Sequence, residues 1–208
     1  MAVLKNILDF YINSSLHVAL SAFALVSMTQ YFFGVQDDFS LAFFAFFGTV
    51  VGYNFVKYDA ITRLNKTEIK KELKGIVFLS FISLLSCFCF FLQLSWATKL
   101  NAFIFFGLTL LYTLPFFPNK QNARNWKGVK IYIVGITWVG VTVILPLLEA
   151  EIPFSIDVLL MAFQRFLLVF SIVLVFDIVD VKNDDIHLQT VPQKIGVELT
   201  KKLGYLLL

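Results

Sequence analysis

Six predominantly apolar runs, at approximately 14–34, 39–58, 75–94, 98–117, 130–148 and 156–176, take up most of this 208-residue chain. A helix that crosses a bilayer needs roughly 20 such residues. The expected fold is therefore all-α, a polytopic transmembrane helix bundle. With 59% of residues hydrophobic and 15% charged, the chain has too little polar surface to coat a soluble globule. A seventh run begins at Leu203 (LGYLLL) and is too short to cross. Six full spans plus the start of a seventh are expected, the chain being truncated or ending in a short, partly inserted segment. Ahead of the first span, Val3, Ile7, Leu8 and Ile12 alternate with Lys5, Asn6 and Asp9. That spacing predicts an amphipathic helix over about 3–12, lying at the membrane interface. No signal-peptide pattern, soluble domain, long linker or low-complexity stretch stands out, so 1–208 reads as one transmembrane domain.

The charges set an orientation. Arg63, Lys66, Lys70, Lys71 and Lys74 follow the second span; Lys120, Arg124, Lys127 and Lys130 follow the fourth; Lys182, Lys194, Lys201 and Lys202 follow the sixth. The alternate connections, around Asp37 and Asp38, Trp96, and Glu149 and Glu151, are poor in Lys and Arg. The positive-inside rule then places the N-terminus and the three basic loops in the cytoplasm. The net charge of +3 is small and sits in these loops, which argues against a nucleic-acid partner. Cys87 and Cys89 point to nearly opposite sides of one helix and read as membrane-buried side chains rather than a disulfide.

Chemistry concentrates in the stretch from Phe176 to Gly196. On a helix Asp177, Asp180 and Asp184 lie within an arc of about 60°. Carboxylates crowded on one face repel unless a cation sits among them. Oxygen ligands suit Mg²⁺, which is usually held by one or two carboxylates together with substrate phosphates. A solvated helix end explains the spacing equally well. Asp185 lies about 80° from Asp177, at second rank or facing solvent. Arg165, near the middle of the sixth span, should face the bundle interior or water, with Glu149 or Glu151 as a candidate partner. His17 and His187 have no further His or Cys at metal-ligand spacing. Trp96 and Trp126 read as interfacial anchors.

Asp177-x-x-Asp180-x-x-x-Asp184, followed by Thr190, Pro192 and Gly196, resembles the second aspartate motif of the UbiA-type intramembrane prenyltransferases. The stretch Leu110 to Lys120, LLYTLPFFPNK, resembles the family's Tyr-Ser/Thr-x-Pro ending of helix four. The resemblance implies a nine-helix bundle with Asp-rich loops after helices two and six, of which this chain would lack the final helices. It implies Mg²⁺ on Asp177, Asp180 and Asp184, a prenyl diphosphate as donor, and an aromatic or lipid acceptor. Tyr112 would then help to bind substrate.

The first motif departs from the family pattern. Asn54 fits, but Phe55, Tyr58 and Thr62 occupy the three Asp positions. Asp59 is displaced by one residue and would sit about 140° from Asn54. Lys57 and Arg63 could contact a diphosphate directly as fixed cations, or could be ordinary cytoplasmic anchoring charges. The leading expectation is a membrane-embedded prenyltransferase homologue in which Asn54, Lys57, Arg63, Arg124 and Lys127 hold the departing diphosphate. One rival is a catalytically degenerate member of the family that binds an isoprenoid lipid or a partner protein. The other is a small transporter with an acidic cytoplasmic gate.

Overall fold

The computed structural model describes residues 2–35, 39–64, 71–114, 126, 128–181 and 188–207, with the backbone alone described at 2, 3, 59–64, 71 and 72. Within these residues all regular structure is helical: α1 Ala2–Asn13, α2 Leu16–Phe32, α3 Phe39–Leu64, α4 Lys71–Gln93, α5 Trp96–Thr113, α6 Lys130–Val139, a π-helical turn Gly140–Ile144, α7 Leu145–Glu149, α8 Ile156–Asp180, α9 Val191–Ile195 and α10 Val197–Leu207. Four stretches are long and apolar enough to cross a membrane: Phe39–Tyr58, Leu73–Gln93, Lys130–Glu149 and Ile156–Asp180. The α1–α2 pair, bent by 62°, makes a fifth if it is one broken span. The chain has the helices of an integral membrane protein.

Of the six expected spans, two differ in the structure. The first, α2, has 17 residues and reaches spanning length only if joined to α1, the helix expected over about 3–12, from which it is set off at Ser15, whose conformation is left-handed (φ 60°). The fourth, α5, carries Thr98, Lys99 and Asn101 in its first turns and is not among the helices apolar enough to span. The run expected to begin a seventh span at Leu203 lies inside α10, which starts at Val197. Its half-buried Val197, Leu203 and Leu207 and buried Thr200 share one face, whereas Glu198, Lys201 and Lys202 are exposed. That is the pattern of a helix lying on a surface.

Contacts group the chain into two compact units, Met1–Lys99 with Leu145–Glu151, and Leu100–Ile144 with Ile152–Leu208. In the first unit α3 packs between α2 and α4. Ala19, Ala22, Ala42 and Ala45 are buried there, and small side chains let apolar helices approach closely. Stacked rings fill the space beside them, with Phe90 at 5.4 Å from Phe43 and 6.0 Å from Phe47. Phe78, Phe81 and Phe88 of α4 face outward, which suits lipid.

In the second unit α6 and α10 both pack on α8. Ile131, Val169, Val173 and Leu174 form its core, covered by Leu203 and Leu207 of α10. A Cβ at Gly135 would lie 2.6 Å from the Phe166 ring, so only glycine allows this approach. Ser155 caps α8 by accepting from the Val158 N–H, and Asp157 in the first turn complements the helix dipole.

Candidate functional site

The end of α8 carries the acidic motif. Asp177 follows the core residues Val173 and Leu174 by one turn, so it lies on the buried face and is 3% exposed. Its Oδ1 accepts from Lys130 Nζ at 2.8 Å, an ion pair that joins the last turn of α8 to the first residue of α6. Asp180 is exposed. The two carboxylates therefore differ in setting: one is shielded and paired with a lysine, and the other is open. Asp184 and Asp185 lie outside the described residues.

The chain beyond α8 folds back beside this pair. The Gly128 N–H donates to the Leu188 carbonyl at 3.3 Å, linking the approach to α6 with the segment after α8. Gln189 takes a left-handed conformation (φ 47°), sparsely populated for a side chain of its kind. Thr190 starts α9, with its N–H donating to Gln193 Oε1 at 3.0 Å. Pro192 sits in the first turn, where its missing N–H costs nothing. Gly196 closes the helix at φ 82° and ψ 159°, a region open essentially to glycine alone. The Thr-x-Pro and Gly thus each have a backbone task.

Lys130, Ile131, Asp177, Leu188 and Thr190 enclose a pocket of about 20 Å³. The pocket is partly open, and its inner space holds about one water-sized oxygen. Thr190 is 5% exposed, and its side chain faces the Gln193 backbone in a capping box at the start of α9.

The Asn54–Arg63 stretch belongs to the other unit. Asn54 is buried and donates from Nδ2 to Ser80 Oγ at 2.9 Å, while its Oδ1 has no partner among the described residues. Lys57 Nζ lies 3.3 Å from both the carbonyl and the Oδ1 of Asn13. Tyr58 donates its hydroxyl to the same carbonyl. These side chains reach the end of α1. Arg63 lies in the last turn of α3, with its side chain outside the described set, as are those of Asp59 and Thr62. Tyr112 is half-buried in the last turn of α5, in the unit that holds Asp177. Arg124 and Lys127 lie outside the described residues.

Arg165 is buried, as expected, and its Nη1 donates to Thr142 Oγ1 at 2.9 Å. Thr142 in turn donates to the Trp138 carbonyl at 2.7 Å. Both carboxylate oxygens of Glu149, a candidate partner, accept from the Ser95 N–H just ahead of α5, at 3.1 and 3.0 Å.

A divalent ion fits the described residues poorly. Among them no three His, Cys, Asp or Glu side chains stand close enough to hold a metal. The carboxylate best placed to do so is already bonded to an ammonium group. Lys130 was legible in the sequence only as one more basic loop residue, and its spacing to Asp177 carries no local signal. Comparison of the chain with protein-family models, with characterised proteins and with solved structures gives no match in any of the three.

Proposed function

We propose that this chain is a membrane-embedded homologue of the UbiA-type prenyltransferases, working on a prenyl diphosphate and an aromatic or lipid acceptor. One observation carries the reading. The acidic Asp177–Asp180 end of an apolar helix is followed by a Thr190-x-Pro192 helix start, which suits those residues, and by a Gly196 whose conformation calls for glycine. Orientation is part of the proposal: six crossings, with the N-terminus and the basic loops cytoplasmic. In its support, the ion pair brings the start of α6 and the end of α8 to one side. Cysteines placed at Lys194 should stay closed to an impermeant reagent in intact cells, and those at Trp96 should react.

In the transfer reaction the allylic C–O bond breaks and diphosphate leaves with the electron pair. The acceptor captures the carbocation and loses a proton. Lysine and arginine side chains stabilise the charge growing on the diphosphate, and the candidates are Arg63, Arg124 and Lys127, with Asn54 and Tyr112 orienting it. Lys57 can join them only by leaving Asn13. The apolar, Phe-rich spans would house the isoprenoid chain and keep water from the cation. Participation of Mg²⁺ at Asp177 is proposed only for a state in which Lys130 has parted from that carboxylate.

The second reading is a member of the same family that binds an isoprenoid lipid without turning it over. It is favoured by the contacts of Lys57 and Tyr58, which tie the degenerate first motif to α1. One experiment separates the two. The full chain in lipid nanodiscs is given prenyl diphosphates of several lengths and candidate acceptors, and both binding and diphosphate release are measured. Acceptor-dependent release supports the transferase. Saturable binding without release supports the binder. Absence of both removes the family reading.

A further inference from the structure

We propose that the Lys130 ammonium is the resident cation of Asp177, and that this carboxylate takes no divalent ion while Lys130 is in place. The proposal deepens the reading above, because that reading would put Mg²⁺ on Asp177. Three observations support it. The pair is close and shielded: Nζ lies 2.8 Å from Oδ1, and the side chains are 19% and 4% exposed. Space is limiting, since the pocket of about 20 Å³ beside Asp177 admits one water-sized oxygen. Mg²⁺ dehydrates reluctantly and usually keeps several waters. Lastly, Lys130 is the first residue of a helix that packs along α8, so its ammonium is tethered at the carboxylate. A tethered group acts at a high effective concentration, and a free ion must displace it.

The chemistry that follows is an exchange of one cation for another. An ion entering at Asp177 would meet an ammonium group a few ångströms away, and the two repel unless the lysine finds another anion. A phosphate-bearing ligand could supply that anion, drawing Lys130 off and opening Asp177. Thr190 lines the pocket beside this pair. Metal binding at Asp177 would therefore depend on Lys130 in a way that the sequence spacing of the aspartates does not suggest.

The test uses Mn²⁺ alone, followed by its electron paramagnetic resonance signal, with the full chain in nanodiscs and no prenyl diphosphate present. A failure of the prenyltransferase reading would therefore leave this test untouched. Lys130→Met should bind Mn²⁺ at least about tenfold more tightly than the wild type, and Lys130→Met/Asp177→Asn should lose that gain. Lys130→Arg, which keeps a cation in place, should behave as the wild type. If Lys130→Met does not fold, Asp177→Asn decides the matter, because in an otherwise wild-type chain it should leave Mn²⁺ affinity within about twofold. Clear weakening by Asp177→Asn, or equal affinity in the wild type and Lys130→Met, would overturn the proposal.

Discussion

Tyr58 donates its hydroxyl to the main-chain carbonyl of Asn13 at 2.8 Å, and Lys57 Nζ shares that carbonyl at 3.3 Å. The last carbonyls of a helix have no partner within it and carry its partial negative charge. A hydroxyl and an ammonium at this point satisfy both needs, so α3 holds the end of α1 in place. The Phe10 ring adds a second contact, since a Cβ at Gly75 of α4 would lie 3.5 Å from it.

Tyr58→Phe should therefore loosen α1 by about 1 kcal/mol, the usual worth of one hydrogen bond. Amide exchange over Leu4–Ile12 should speed up about fivefold, with little change in α8. Lys57→Ala should act in the same direction. If α1 exchanges at the wild-type rate in both variants, the clasp contributes nothing in the membrane.

Gly196→Ala tests the turn between α9 and α10. Nothing lies within 4 Å of the position a Cβ would take, so steric crowding is not the issue. The difficulty is backbone strain at φ 82° and ψ 159°, which costs about 1–3 kcal/mol for a residue with a side chain. The variant should release α10 from α8, seen as faster exchange at Leu203 and Leu207 with α6 unaffected. Unchanged protection of α10 would show that the turn tolerates alanine.

A pair of threonines tests the buried arginine. Thr142 Oγ1 accepts from the Arg165 guanidinium, whereas Thr137 Oγ1 is buried without a partner. Thr142→Val removes an acceptor from a buried charged donor, a loss of about 1.5–3 kcal/mol. Thr137→Val replaces an unsatisfied hydroxyl with a methyl group of similar size and should be neutral or stabilising. Thermal unfolding in detergent should rank Thr142→Val well below the wild type, with Thr137→Val at or above it. The opposite order would mean that Arg165 rests on its other contacts.

The helices were legible because an apolar run of spanning length has few other uses, and the structure places a helix over each of the six. What escaped were relations between distant residues. Lys130 and Asp177 are separated in sequence by two helical stretches each long enough to cross a membrane, and helical periodicity says nothing across such a gap. The reach of Lys57 and Tyr58 to Asn13 was hidden for the same reason. The break at Ser14 and Ser15 was a different case. Asn13-Ser14-Ser15 is a run of turn-forming residues, and it falls between the helix expected over about 3–12 and the run expected from 14. At the acidic motif helical spacing sets Asp177 and Asp180 about 60° apart. It gave no warning that burial divides them, because burial depends on what packs against that face.

The two-sided character of α10 also bears on how the chain is made. A segment entering the bilayer core is penalised by about 2.5–3.5 kcal/mol for each Lys at its centre, and α10 carries Lys201 and Lys202 beside Glu198. These charges disfavour taking α10 itself into the bilayer core. Leu203 and Leu207 then await a surface that includes Ile131 of α6 and Val173 of α8. Both of those helices emerge from the ribosome first. α10 can thus dock as soon as it appears, and a ribosome stalled before Val197 would leave this apolar surface uncovered.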